Sequence, residues 1–141
     1  MDNLHPKLLE RVNSLLVRMK ELGYNLRIVS GYRSFKDQDD LYAQGRTKPG
    51  KIVTNAKGGQ SYHNYGLAVD LAFVIDGKIS WDEKLPWSRL GMEGKQFGLE
   101  WGGLFKKFKD RPHFQYTNGF SLDVLRDLYN KNGLNKVWEI I

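Results

Sequence analysis

From Gly66 to Ile75, small and bulky residues alternate. Gly66, Ala68, Asp70 and Ala72 fall in one row, and Leu67, Val69, Leu71, Phe73 and Ile75 in the other. A period of two is the signature of a β-strand, and the bulky row demands a core on its side. The small row leaves space around its one carboxylate, so Asp70 is free to point into a site. His63 stands seven residues upstream, and because seven is odd the two would face opposite sides of one unbroken strand. For them to meet, the chain must turn or bulge near residues 64–66, which Gly66 permits. Imidazole and carboxylate are both ordinary zinc ligands. The same residues also suit a strand with a solvated aspartate and a loop histidine, and this stretch alone leaves both readings open.

Around this strand the pattern predicts a mixture of helices and short strands. Leu8, Leu9, Val12, Leu15, Leu16 and Met19 recur at helical spacing, with Asp2 or Asn3 as cap, Pro6 in the first turn and Gly23 as the stop. His5, at the entry of that helix, reads as a surface residue. Asn25 to Ser30 reads as a strand ending at Gly31, just before Arg33. Arg33 is either a solvated charge or a guanidinium aimed at a carboxylate or a developing oxyanion. Ser34 caps a helix running to Gly45, and residues 46–60 form a long loop of the kind that is often functional. Asp76-Gly77 signals a tight turn, returning the chain through Lys78–Trp81 as a partner strand. A helix over Trp87–Phe97 follows, weakened by Gly91 and Gly94, and then the short apolar piece Leu99–Trp101. Phe105, Phe108 and their lysines read as an amphipathic segment with its lysines in water. Ser121 caps a last helix that buries Leu122, Leu125, Leu128 and Tyr129, and the tail beyond Gly133 packs back on the domain.

A second dense cluster runs from Asp110 to Tyr116. Pro112 restrains the backbone before His113, and alternation puts His113 and Gln115 on one face of a short strand. An acid three residues before a histidine fits a metal site in which the acid is not a ligand but works on water; a charged loop before an edge strand is the plainer reading. Composition narrows the choices. The chain has 141 residues and no cysteine, so any zinc site must use His, Asp or Glu, and only three histidines exist. That length suits one domain, 1–141, with a core of its own. The net charge of +6 favours polyanions. No apolar run reaches the roughly 18 residues of a membrane span, and no signal peptide is visible at the start.

Three pieces together resemble a known family: Ser30-Gly31-Tyr32-Arg33-Ser34, the Ser-x-His-x-x-Gly-x-Ala-x-Asp pattern at 61–70, and Asp110-x-x-His113. They are similar to the zinc peptidases of bacterial cell walls that include D-alanyl-D-alanine carboxypeptidases and dipeptidases, and L-alanyl-D-glutamate endopeptidases. Gln44-Gly45-Arg46, the stretch 58–66 and Trp101-Gly102-Gly103 resemble the last group, found in bacilli and as phage endolysins. The likeness runs from Leu4 to Tyr116. It implies an α+β fold, an antiparallel sheet carrying the zinc site with helices packed around it. It also implies Zn2+ on His63, Asp70 and His113, Asp110 as acid/base, Arg33 stabilising the transition state and Ser61 at the substrate edge. Many of the carboxypeptidases carry Glu where this chain has Asp110; Asp there resembles the endopeptidase branch.

The resemblance therefore implies hydrolysis of the L-alanyl-D-glutamate bond of the peptidoglycan stem peptide by an endolysin or autolysin. A free aspartate is a feeble base at neutral pH, so Asp110 is expected in a partly dry setting, against Trp101, that raises its pKa. Anionic wall polymers are further expected partners. Specific nucleic-acid binding and a membrane span are not expected, and a monomer is. The place of action is the bacterial wall, after release from the cytoplasm by a phage or secretion with an upstream signal removed. Two alternatives stand beside it: a D-alanyl-D-alanine carboxypeptidase of the same family, and a non-catalytic zinc module binding an anionic polymer. Three ligands rather than four argue against a purely structural zinc.

Overall fold

A computed structural model describes residues 3–141 of the chain, so Asp2, one of the two expected caps, lies outside the described residues. The first helix, α1 (Pro6–Glu21), is capped instead by His5, whose Nδ1 accepts from the Lys7 N–H at 3.1 Å. Pro6 fills the first helical position, where its missing N–H costs nothing. His5 is buried, contrary to the surface position expected from sequence. Its backbone N–H donates to Gly66 O, its Nε2 lies 3.1 Å from Trp138 O, and its ring meets Trp138 edge-on. Burial pushes its pKa down. It ties the start of α1 to the start of the central strand and is a structural histidine.

The strands are β1 (Leu26–Ser30), β2 (Ala68–Ile75), β3 (Lys78–Ser80), β4 (Glu100–Trp101) and β5 (His113–Gln115), paired antiparallel throughout. β2 is the axis of the sheet. Phe73 pairs with Leu26 of β1 and with Ser80 of β3, while Asp70 pairs with Ser30 of β1 and with His113 of β5. β3 and β5 therefore share the edge of β2 opposite β1, and β4 adds beyond β5. The bulky row of β2 behaves as its period requires: Leu67, Val69, Leu71 and Phe73 are buried, and only Ile75, past the end of the core, is exposed. Ala68 and Ala72 are buried too, so within the small row Asp70 marks the opening.

Helices α2 (Phe35–Ala43), α3 (Trp87–Gln96), α4 (Leu122–Asn132) and α5 (Leu134–Ile140) complete the fold, in keeping with the α+β expectation. Ser34 and Ser121 cap α2 and α4 by accepting from Asp37 N–H and Val124 N–H. The two glycines that weakened α3 have a packing reason: a Cβ at Gly91 would run into the Trp101 ring, and one at Gly94 into Phe114. One apolar cluster joins α1 and α3 to the bulky face of β2. A second gathers Tyr65, Leu67, Leu125, Val137 and Ile141, so the tail does pack back, but as a helix the sequence pattern did not reveal. No helix among the described residues is long and apolar enough to cross a membrane.

Candidate active site

The turn that would free His63 from the parity of the strand exists. Residues Tyr62–Tyr65 form one 3-10 turn, capped by Ser61, whose hydroxyl accepts from His63 N–H, with the Asn64 side chain reaching back to Ser61 N–H. Gly66 ends the turn in the left-handed region (φ 69°), where a Cβ would collide with Asn3 O. The chain then enters β2 with His63 folded back over it, and His63 Nε2 stands 3.5 Å from Asp70 Oδ2. From the other side, the register of β5 sets His113 directly across from Asp70, with Nδ1 3.6 Å from Oδ1. One donor atom from each of His63, Asp70 and His113 lies within 4.8 Å of the others. Two independent pieces of backbone geometry thus converge on one carboxylate.

Each imidazole is oriented by its other nitrogen. His63 Nδ1 lies 2.8 Å from Gly31 O, and since a carbonyl oxygen only accepts, that nitrogen carries the proton and Nε2 is left with its lone pair. His113 Nε2 lies 2.7 Å from Gln115 Oε1, which leaves Nδ1 facing Asp70. Among the described residues Asp70 Oδ1 is the one buried side-chain polar atom with no hydrogen-bond partner. An orphaned buried acceptor costs about 1–3 kcal/mol, and a cation shared with the two imidazoles would remove that cost. Two imidazole nitrogens and a carboxylate, with no fourth protein donor in the cluster, are the donor set of an open zinc site. The residues present fit the ion.

The electrostatics are those of a poised carboxylate pair. Burial works to raise the Asp70 carboxyl, yet the facing His113 and His63 outweigh it and hold the group well below the usual carboxylate range. Burial works to lower His113, but Asp70, Gln115 and Asp110 turn the net shift upward. Asp110 stands 3.9 Å from His113 Nδ1 and is displaced upward, first by desolvation and then by the charge of Asp70, against the pull of His113, His63 and Arg33. The upward shift and its leading cause agree with the partly dry setting expected, although about half of the Asp110 side chain (51%) remains open to solvent. The Trp101 indole is buried, packs on Gly91 and Gly103, and donates to the O of Arg111, the residue after Asp110, at 2.8 Å.

Arg33 reaches the same groove. Its backbone N–H donates to His63 O, and Asn64 Nδ2 donates to Arg33 O, so the loop after β1 clamps the turn that carries His63. The guanidinium donates to Gln38 Oε1 and Ser30 Oγ, both at 3.1 Å and both neutral, leaving its charge for an anion from outside. Gln38, almost fully buried, also donates to Ala56 O and ties the long loop to Arg33. Sequence reasoning missed Gln38, because a single glutamine in a helix carries no periodic signal. The groove has a volume of about 1160 Å3 and takes in all six residues singled out from sequence: Arg33, Ser61, His63, Asp70, Asp110 and His113. Its walls include Ile52 and Val53 of the long loop, Phe105 and Phe108, and Arg126 of α4. The segment around Phe108 is not a packed amphipathic face, since Phe108 itself is 70% exposed at the groove.

Comparison with known proteins matches residues 1–119 to the family model "VanY: D-alanyl-D-alanine carboxypeptidase". The chain is 46% identical over 123 residues to the peptidoglycan L-alanyl-D-glutamate endopeptidase CwlK of Bacillus subtilis (strain 168), covering 81% of this chain and 74% of that protein. Among solved structures it is similar to the L-Ala D-Glu endopeptidase ChiX of Serratia marcescens, with a TM-score of 0.61, 27% identity, and coverage of 82% of this chain and 81% of the other. The vancomycin-resistance D,D-pentapeptidase VanY in complex with Zn(II) shares the fold at a TM-score of 0.60 and 19% identity, over 97% of this chain and 86% of that one.

Proposed function

Because this chain belongs to the VanY family of D-alanyl-D-alanine carboxypeptidases, we propose that it is a zinc peptidase that acts at the bacterial cell wall and cleaves the L-alanyl-D-glutamate bond of the peptidoglycan stem peptide. The observation that carries this reading is the convergence of His63 and His113 on Asp70, with Asp110 beside them and Arg33 uncompensated in the same groove. The 46% identity to an endopeptidase, with Asp rather than Glu at position 110, favours the endopeptidase over the carboxypeptidase branch. The groove, at about 1160 Å3, exceeds the roughly 300–1,000 Å3 of ordinary small-ligand sites and suits a stretch of peptide extending past the cut. Residues 1–141 act as one catalytic domain.

His63 through Nε2, Asp70, and His113 through Nδ1 would hold the ion. When bound, zinc supplies a Lewis acid that polarises a carbonyl and lowers the pKa of water to about 7. Asp110 takes the proton from the attacking water and delivers it to the departing amine of D-glutamate, a transfer its upward-shifted carboxyl suits. Arg33 meets the charge developing on the carbonyl oxygen or the D-glutamyl carboxylate next to the cut. Ser61, on the groove wall, marks the edge where the substrate backbone lies while its hydroxyl caps the His63 turn. Mass spectrometry of a digest of purified peptidoglycan tests the bond assignment. New amino-terminal D-glutamate is expected; free D-alanine with no new D-glutamate amine would transfer the protein to the carboxypeptidase branch.

Anionic wall polymers are the second partner. Lys109 lines the groove, and Lys106 and Lys107 beside it in sequence, and Lys51 just before Ile52 and Val53 on the long loop, are exposed. With a net charge of +6, activity on whole walls is expected to fall as salt shortens the Debye length from about 10 Å at 0.1 M toward 3 Å at 1 M. Activity on a small soluble muropeptide should change far less. Equal salt sensitivity on both substrates would remove the polymer from the account.

A further inference from the structure

His113 is unlike His63 in what holds it. The outer nitrogen of His63 rests on a backbone carbonyl, which cannot change identity or rotate away. The outer nitrogen of His113 rests on a side chain, Gln115 Oε1 at 2.7 Å. A glutamine amide offers either an acceptor or a donor, depending on which way it is turned. If its NH2 faced His113, Nε2 would have to accept and the proton would move to Nδ1, the nitrogen that faces Asp70 and would bind the ion. Something must therefore set the orientation of the amide.

Glu100 does this. Gln115 Nε2 donates to Glu100 Oε2 at 2.7 Å, and an ionised carboxylate only accepts, so the NH2 must lie on its side. The second carboxylate oxygen accepts from Thr117 Oγ1 at 3.1 Å, which keeps Glu100 from swinging away. The backbone makes the chain of contacts possible. Gln115 stands two residues after His113 on the same face of β5, and Glu100 of β4 is its register partner across the sheet. On the other side Gln115 pairs with Ala68 of β2, whose small side chain leaves room for it. Gln115 and Thr117 are both buried, so neither competes with bulk water for these bonds.

We infer that Gln115, turned by Glu100 and Thr117, is a positioning residue that keeps the proton of His113 on Nε2 and its Nδ1 lone pair on the metal site. The inference rests on the ligand set of the proposed function. Outer partners of this kind are typically worth 10–100-fold in metal affinity.

The test measures zinc affinity by competition with a chromophoric chelator, together with the His113 tautomer read from long-range 15N–1H correlations of the metal-free protein at a pH high enough that the ring is neutral. Gln115→Leu is expected to weaken zinc binding by about 10- to 100-fold and to lose the Nε2-protonated signature. Glu100→Ala, a change at an exposed position that spares the core, is expected to shift both readouts in the same direction by less. Glu100→Gln retains an amide oxygen for Gln115 and an NH2 for the Thr117 hydroxyl, and should restore both. Wild-type affinity and an unchanged tautomer in Gln115→Leu, or in Glu100→Ala should the first variant fail to fold, would overturn the inference. Tight zinc binding by His113→Ala would instead overturn the ligand set beneath it.

Discussion

Replacing His63 or His113 by alanine is expected to strip zinc from the purified protein and to abolish wall hydrolysis with it. Either change leaves Asp70 and one imidazole, two donors where an open zinc site uses three. The loss should exceed the 10–100-fold typical of an outer-shell partner, so that metal analysis after dialysis reads near zero per chain. His5→Ala is the internal control. His5 is also buried, but it caps α1 and faces Trp138, so its loss should lower stability and leave the zinc content intact. Stoichiometric zinc in both His63→Ala and His113→Ala would show that the ion is held elsewhere.

Asp110→Asn separates the acid/base from the ligands. The carboxylate is half open to solvent and 3.9 Å from His113 Nδ1, and no donor of Asp110 belongs to the cluster of ligand atoms. The amide is close in shape, so zinc should stay at one per chain. It cannot take a proton from water, so turnover should fall by about 100-fold or more, the usual scale for a positioned general base. Substrate affinity should change little, because groove contacts through Arg33 and Ser61 remain. Near-normal turnover in a zinc-loaded Asp110→Asn protein would end the assignment. A protein that lost zinc together with activity would make Asp110 a ligand rather than a base.

Much of the architecture is legible locally because it is decided locally. The period-two rows of β2, the serine caps of α2 and α4, and the turn at Asp76-Gly77, where both residues have positive φ, each depend on neighbours within a few positions. The candidate site was legible for a different reason. Ser61, His63, Asp70, Asp110 and His113 stand in a pattern that resembles that of a family, and the chain belongs to that family. What a linear pattern did not contain was how far His5 would be buried, because that depends on Trp138 at the other end of the chain. Nor did it show that the tail is a helix, since the residues it packs against lie on α4 and the His63 turn.

The sequence by itself determined the strand that carries Asp70, the chemistry of the residues available for a metal, and the need for a turn to bring His63 to Asp70. The tertiary structure decided the rest. It set the shape of that turn, the register that lays His113 across from Asp70, and how far the partly dry Asp110 stays open to solvent. It also joined Gln38 to Arg33, and Glu100 through Gln115 to His113. The physical reason is that period and capping are properties of one segment. Register, burial and the direction of a hydrogen bond belong to pairs of segments, and they exist only once the sheet has closed around β2.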